Sequence, residues 1–357
     1  MNEVSSTERC IGLCLSKGVE FAVCLSPGEE IPIIFIPSLP GSGHNGEKVF
    51  EIGSWLAPYA ERIPVRGETD LRTAIAFLEN IPEADTPADT QRHLPSRSTS
   101  KESYITEVNR VIDSCRNRSG KTVYSRVICG KTDREEWPRL FSALCEAFPA
   151  TFRFIFNTRH TGGWIGATPE TLLDVNLTDG TFHTMAFAGT RPIADGNIPW
   201  DAKNIRENAY VSDYISQKIK ELGITVHTGE LETVAYGTNI EHLCRHISGS
   251  LDAVSEFPLL LDAINPTPAL CGSPLASAID DLKRHEHHCR GCYGGFVALR
   301  DNSRFRSFVT LRCCSFSGEN FAIYAGGGIT PDSIPVNEWE ETEAKSLFFR
   351  RYLQENT

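Results

Sequence analysis

Glu338, Glu341 and Lys345 stand at i, i+3 and i+7 of a segment with helical spacing, so they share one helix face. Two readings are open for them. They form either a solvated face with an ordinary i,i+4 salt bridge between Glu341 and Lys345, or a group of charges turned onto a ligand. Just upstream, an apolar strand ends in Gly326-Gly327-Gly328. Three successive glycines read as a turn, either a merely tight one or one that lets the backbone approach a ligand and aim N–H groups at an anion. Arg206 and Glu207 fall mid-helix elsewhere in the chain, where Glu207 can offer a carboxylate from a second helix. Carboxylates from separate helices suit a hard, oxygen-seeking cation such as Mg2+, which keeps several waters and bridges to an anionic ligand.

Two other patterns carry less. Gly41-Ser42-Gly43-His44-Asn45-Gly46 follows an apolar strand and matches Gly-x-Gly-x-x-Gly. A dinucleotide site needs that motif to open a helix, whereas Val49 to Trp55 has poor helical periodicity and contains Gly53. It reads as a hairpin or surface loop. His285, His287, His288, Cys289 and Cys292 include one Cys-x-x-Cys half-site, but structural zinc needs a second pair and the sequence has none. A haem attachment would need His where Tyr293 stands. The segment reads as a polar loop before a strand.

These side chains need elements to hold them. Phe21 to Leu25 and Ile31 to Ile36 alternate as strands, and the pattern up to about Gly67 is strand-like throughout. Asn80 to Ser103 has no period and is rich in Pro, Asp, Thr, Arg and Ser, which marks it as a linker. Helices are predicted from Tyr104, around Trp137 to Phe148, over Asp201 to Leu222, over Ser255 to Ile264, from Pro274, and over Val336 to Leu353. Strands are predicted at Val123 to Cys129, from Phe152, at Leu172 to Leu177, Phe182 to Ala188, Ile224 to His227, Leu231 to Tyr236, Gly294 to Arg300, Phe305 to Phe316 and Phe321 to Ala325. Strands come in runs, so an α+β fold is favoured over a doubly wound one.

The chain has 357 residues, 35 basic and 46 acidic, for a net charge of −11. That balance argues against a nucleic-acid binder, which gains affinity by neutralising phosphates with clustered Lys and Arg. No signal peptide or membrane span is legible, and the twelve cysteines read as small buried hydrophobes in a reducing, cytoplasmic setting.

Eight segments then occur in one order: Gly163-Trp164-Ile165-Gly166-Ala167-Thr168-Pro169-Glu170, Phe187-Ala188-Gly189-Thr190-Arg191, Glu241-His242-Leu243, Pro266-Thr267-Pro268-Ala269, Tyr293-Gly294-Gly295, Val309-Thr310-Leu311-Arg312-Cys313, Tyr324 to Ile329, and Glu338 to Lys345. In this the chain closely resembles the chorismate-utilising enzymes, the isochorismate, salicylate, anthranilate and aminodeoxychorismate synthases, from about Lys101 to Leu353. The resemblance implies an α+β fold of two large mixed or antiparallel sheets packed together with helices outside. It implies that residues 1–100 form an N-terminal, strand-rich part of that fold and residues 101–355 a chorismate-binding catalytic region.

The resemblance also implies a Mg2+-dependent displacement on chorismate, in which a nucleophile adds at ring carbon 2 as the 4-hydroxyl leaves. Members that use water resemble one another in a lysine opening a strand motif, here Lys121-Thr122-Val123-Tyr124-Ser125-Arg126. Aminodeoxychorismate synthases tend to carry a second lysine where this chain has Ala188. Lys121 is thereby implied as the general base for water and Glu170 as the general acid for the hydroxyl. The pair is inverted, because the lysine must spend time neutral and the glutamate protonated; burial pushes both in that direction.

By the same similarity Glu207 and Glu341 bind Mg2+ directly and Glu338 through water, while Arg312, Lys345 and groups around Gly327 and Gly328 hold the enolpyruvyl side. An arginine fork matches a carboxylate well. Gly189, Thr190, His242, Ala269 and Tyr293 line the ring pocket. The implied activity is that of an isochorismate synthase, an isomerase, on the path to menaquinone. Alternatives are a salicylate synthase, a siderophore-pathway isochorismate synthase and, further off, an amine-using synthase. A monomer or weak homodimer with no glutaminase partner is expected. The chain departs from the family pattern at Asn265, where a histidine usually stands, and at Asn204, where relatives often carry an acid.

Overall fold

The computed structural model describes residues 3–40, 48–82, 94–195, 198–236 and 240–355. The Gly41 to Gly46 motif and residues 83–93 of the linker lie outside them. The first half of the chain runs α1 (Glu3–Ser16), β1 (Phe21–Leu25), β2 (Ile33–Phe35), β3 (Val49–Gly53), β4 (Ile63–Val65), β5 (Glu68–Thr69), α2 (Leu71–Glu79), α3 (Lys101–Arg118), β6 (Lys121–Lys131), α4 (Glu136–Ala147), β7 (Phe152–Thr158) and β8 (Gly162–Thr168). It continues with β9 (Thr171–Asn176), β10 (Thr181–Pro192), α5 (Ala202–Glu221), β11 (Val226–Tyr236), β12 (Ile240–Ser250), α6 (Phe257–Ile264), β13 (Gly272–Ser273), α7 (Leu275–His285), β14 (Phe296–Arg300), β15 (Arg304–Val309), β16 (Cys313–Ser317), β17 (Asn320–Ile329) and α8 (Pro335–Glu355).

The strands form a nine-stranded sheet, β13-β6-β17-β16-β8-β7-β1-β2-β5, and an eight-stranded sheet, β11-β12-β10-β9-β15-β14-β3-β4. Every pairing among the described residues is antiparallel, so of the two sheet types expected the mixed one does not occur. The period-2 alternation decides which residues face which layer. In β1, Ala22 and Cys24 join the core between the sheets, while Val23 and Leu25 pack outward under helices. Likewise Phe152, Phe154 and Phe156 of β7 point between the sheets and Ile155 points out. Phe152 stacks on Phe308 of the opposite sheet, with ring centroids 4.3 Å apart. The outer faces are covered by α1, α2, α4 and the end of α8 on one sheet, and by α5 and α6 on the other.

Beyond α2, β8 and β12, for which the sequence pattern predicts no element, four elements differ from it. The chain opens in a helix, α1, in which buried Cys10 and Cys14 do the work of apolar residues and so hide its period. The segments Ile224 to His227 and Leu231 to Tyr236 form one strand, β11, with an irregularity between Thr228 and Leu231. The run Phe305 to Phe316 is two strands, broken at Thr310 to Arg312, where Arg312 has φ 47°. The triple glycine is no turn: Gly326, Gly327 and Gly328 pair with Ser125, Tyr124 and Val123 inside β17. All twelve cysteines are free thiols. Among the described residues no helix is long and apolar enough to cross a membrane.

Candidate active site

Lys121 is the first residue of β6, and beside it runs the glycine stretch of β17. A Cβ at Gly328 would sit 2.7 Å from Lys121 Cε and collide with Glu207 Oε1. Glycine here is a matter of room, since the lysine and a carboxylate from α5 both lie against the strand. Lys121 is buried, with its Nζ 2.7 Å from Glu207 Oε1 but without hydrogen-bond alignment to it. A carboxylate so close is a partner for an ammonium, so base work requires this contact to break.

Glu170 follows Pro169 between β8 and β9 and is fully buried. Burial pushes its carboxyl up to about 8, against a smaller downward pull from Lys121. It therefore holds a proton at neutral pH, as a general acid must.

Another wall of the site is built on a β-bulge. The register of β10 against β12 shifts between Phe187 and Thr190, and Gly189 takes φ 90° there, a conformation that glycine adopts without strain. His242 on β12 approaches Thr190 Oγ1 at 3.0 Å and Gly189 O at 3.2 Å through Nδ1, while its Nε2 lies 3.1 Å from an Arg312 nitrogen. Arginine can only donate, so Nε2 accepts and the ring proton sits on Nδ1. Burial first, then Arg312 and Lys345, keeps this imidazole well below its usual value, hence neutral. The Arg312 guanidinium also lies over the Tyr236 ring, 4.8 Å from its centroid.

Three carboxylates surround the glycines of β17, Glu207 at Gly328 and Glu338 and Glu341 at Gly327. Glu207 comes from α5, and Glu338 and Glu341 come from α8. A Cβ at Gly327 would lie 3.4 Å from Glu338 Oε2 and 3.6 Å from Glu341 Oε1. Burial, then the charge of Glu341, raises the Glu338 carboxyl, whose Oε2 is buried without a partner. Burial also pushes Glu341 up, but Lys345 at 2.6 Å, helped by Lys203 and Arg312, holds it below the usual carboxylate value. Oxygen-only donors and one orphaned buried oxygen fit a hard divalent cation. Among the described residues, however, no three His, Cys, Asp or Glu side chains converge into a ready chelate.

One pocket gathers most of the expected residues. Gly189, Thr190, His242, Ala269 and Tyr293 line it together with Glu170, Arg312, Gly327, Gly328, Glu207, Glu341 and Lys345. Lys121 and Glu338 stand behind this lining, against Glu207 and Gly327. Lys345 pairs with Glu341 and bonds Gly326 O at 2.8 Å while it also lines the pocket. The pocket encloses about 80 Å³, well below the roughly 300 Å³ at which ordinary ligand sites begin. Its own side chains fill part of it.

Three positioning residues escaped the sequence. Lys203 bonds Glu338 Oε1 at 2.8 Å. Burial lowers its ammonium's affinity for a proton, but Glu338, Glu341 and Glu207 more than offset this and leave it above the usual lysine value. Asn208 is buried and donates to the carbonyls of Ala186, Ala188 and Leu243, tying the bulge to β12. Asn204, noted only as a departure, accepts from Thr190 N at 3.2 Å and donates to Asp201 Oδ2 at 2.9 Å. Adjacency to Glu207 on the α5 faces was the one signal for all three. At the other departure, Asn265 Oδ1 is buried without a partner. The histidine-rich segment is spent on contacts with carboxylates: His285 and His287 face Glu107 at 2.8 and 3.6 Å, and His288 faces Glu286 at 3.3 Å. Cys292 is buried and Cys289 exposed.

The sequence profile of a family described as chorismate binding enzyme matches residues 57–351. Isochorismate synthase MenF of Haemophilus influenzae is 29% identical over 208 residues, 55% of this chain and 47% of that protein. The vibriobactin-specific isochorismate synthase of Vibrio cholerae is 26% identical over 307 residues, 81% of this chain and 76% of that one. The chain spans only 36% to 49% of the length of the first three curated relatives. Among solved structures, MenF, the menaquinone-specific isochorismate synthase from Escherichia coli, superposes with a TM-score of 0.77 at 18% identity, over 99% of this chain and 92% of that one. Anthranilate synthase component I from Streptococcus pneumoniae gives 0.63 at 18% identity, over 93% and 90% of the two chains. At such identities the superpositions speak of fold alone. The profile speaks of more, because its single run takes in every residue lining the pocket, from Val123 to Lys345, and Lys121 behind it, and the chain belongs to the chorismate-binding enzyme family.

Proposed function

We propose that the chain is an isochorismate synthase, which converts chorismate to isochorismate by adding water at ring carbon 2 and releasing the 4-hydroxyl as water. The observation that carries this is the buried carboxyl of Glu170 kept protonated up to about 8, in the electrostatic field of an equally buried Lys121. Lys121 takes the proton from the attacking water, and Glu170 gives its own to the departing hydroxyl. Glu207, Glu341 and Glu338 would hold Mg2+, which when bound supplies positive charge to the ring carboxylate. Arg312 and Lys345 bind the enolpyruvyl carboxylate, with the backbone of Gly327 and Gly328 close by. Gly189, Thr190, His242, Ala269 and Tyr293 enclose the ring.

Lys121 favours water over an amine as nucleophile, and Ala188 speaks against an aminodeoxychorismate synthase, so no glutaminase partner enters the reading. The pathway we infer is menaquinone biosynthesis in the cytoplasm, supported by the likeness to MenF of Haemophilus influenzae and by twelve free thiols. Similarity to the vibriobactin-specific enzyme favours siderophore synthesis as a second reading. Purified protein given chorismate and Mg2+ without ammonia should form isochorismate. Salicylate with pyruvate, or turnover only with ammonia, would overturn the assignment. Lys121→Ala should abolish turnover with an unchanged circular dichroism spectrum. Gene deletion followed by assay of menaquinone and of siderophore separates the two pathways.

A further inference from the structure

Each carboxylate of the proposed metal site ends on a lysine. Glu207 Oε1 lies 2.7 Å from Lys121 Nζ, Glu341 Oε1 lies 2.6 Å from Lys345 Nζ, and Glu338 Oε1 lies 2.8 Å from Lys203 Nζ. Three acidic side chains are thus each matched by a basic one. Without those lysines, three carboxylates around two glycines would repel one another in a largely dehydrated setting, where charges are weakly screened.

The three lysines are not equally free to move. The Lys121 side chain is 1% exposed, and that of Lys345 is 16% exposed and also bonded to Gly326 O. The Lys203 side chain is 32% exposed, and among the described residues its one hydrogen bond goes to Glu338. It stands on the first turn of α5, next to solvent, and can leave by rotating its own side chain. Glu338 meanwhile keeps Oε2 buried and unpartnered, facing the Gly327 backbone where Glu341 also ends. One oxygen of Glu338 is thus held by a cation on a tether, and the other lacks the partner that a buried carboxylate requires.

We propose that Lys203 is a tethered counter-ion that occupies the carboxylate cluster in place of a divalent cation and swings into solvent when the cation enters. This rests on the Mg2+ reading given above. The two cations compete for the same oxygens, so Lys203 weakens metal binding while it keeps the empty cluster from flying apart. It is a positioning residue, acting on substrate only through the carboxylates.

The test is Mg2+ titration by calorimetry without substrate, on wild type, Lys203→Met and Lys203→Arg, with thermal melts of each with and without Mg2+. Removing one unit charge a few ångströms from the ion should tighten Mg2+ binding on the order of tenfold or more in Lys203→Met. That variant should melt lower than wild type without Mg2+ and recover with it, whereas Lys203→Arg should bind as wild type does. Binding by Lys203→Met that is no tighter than wild type overturns the proposal and leaves the metal reading standing. If neither protein binds Mg2+, both fall together. Should Lys203→Met not fold, the wild type still decides. Its Lys203 side-chain amine resonance, assigned by its loss in Lys203→Arg, should shift to a solvent-exposed position on adding Mg2+, and an unmoved resonance overturns the proposal.

Discussion

Burial holds the Glu170 proton up to about 8, above the ordinary 4.5 of a glutamate in an open chain. The folded chain therefore binds this proton more tightly than the unfolded one does. The stability this confers is fully present below about 4.5 and is lost as pH rises to about 8. Turnover should fall along the same alkaline limb as the acid loses its proton. Glu170→Gln should abolish turnover and flatten the decline of stability across that pH window, measured by urea unfolding; an unchanged slope would rule out burial as the source. For His242, loss of the imidazole leaves Arg312 without its acceptor and Thr190 without its partner. His242→Ala should raise KM about tenfold, as expected when a buried polar contact goes unmade, with less effect on kcat. The letters of the motifs disclosed both residues. The proton on Nδ1 became evident only when Arg312 was found to donate to the other nitrogen.

At the scale of elements, β6 and β17 form the floor of the site, and their register decides which glycine faces what. Gly328→Ala should push Lys121 and Glu207 apart and lower turnover on the order of a hundredfold, the usual result of an ångström's misplacement. Gly327→Ala, with the nearest oxygen at 3.4 Å, should be much milder. Assaying both variants alongside their unfolding midpoints separates loss of geometry from loss of fold. Asn208→Ala leaves three buried carbonyls short of a donor. It should cost about 1–3 kcal/mol in denaturant unfolding. The sequence pointed to close approach at the glycines but misjudged the element, since glycines in a turn and glycines under a crowded strand look alike in one dimension. It misjudged Phe305 to Phe316 for a related reason. Apolar alternation continues across a strand break when both sides of the break are buried.

Across the whole molecule, the two sheets meet on aromatic rings, and the first seventy residues supply edge strands to both: β1, β2 and β5 to one, β3 and β4 to the other. That division was beyond the reach of composition, because which sheet a short strand joins depends on partners far along the chain. The α+β class and the outer helices were legible, since long amphipathic periods survive tertiary packing. Phe308→Ala, which removes the ring stacked on Phe152, should destabilise the fold by about 3–5 kcal/mol in denaturant unfolding. Phe308 also stands two residues before the break at Thr310 to Arg312, where the chain leaves the eight-stranded sheet and enters the nine-stranded one. The residue proposed to grip substrate thus rides on the thread that stitches the two layers together. Arg312 acts as a gauge of their alignment: gentle warming or a cavity at Phe308 should loosen the hold on substrate, seen as a rising KM, before any strand or helix is lost.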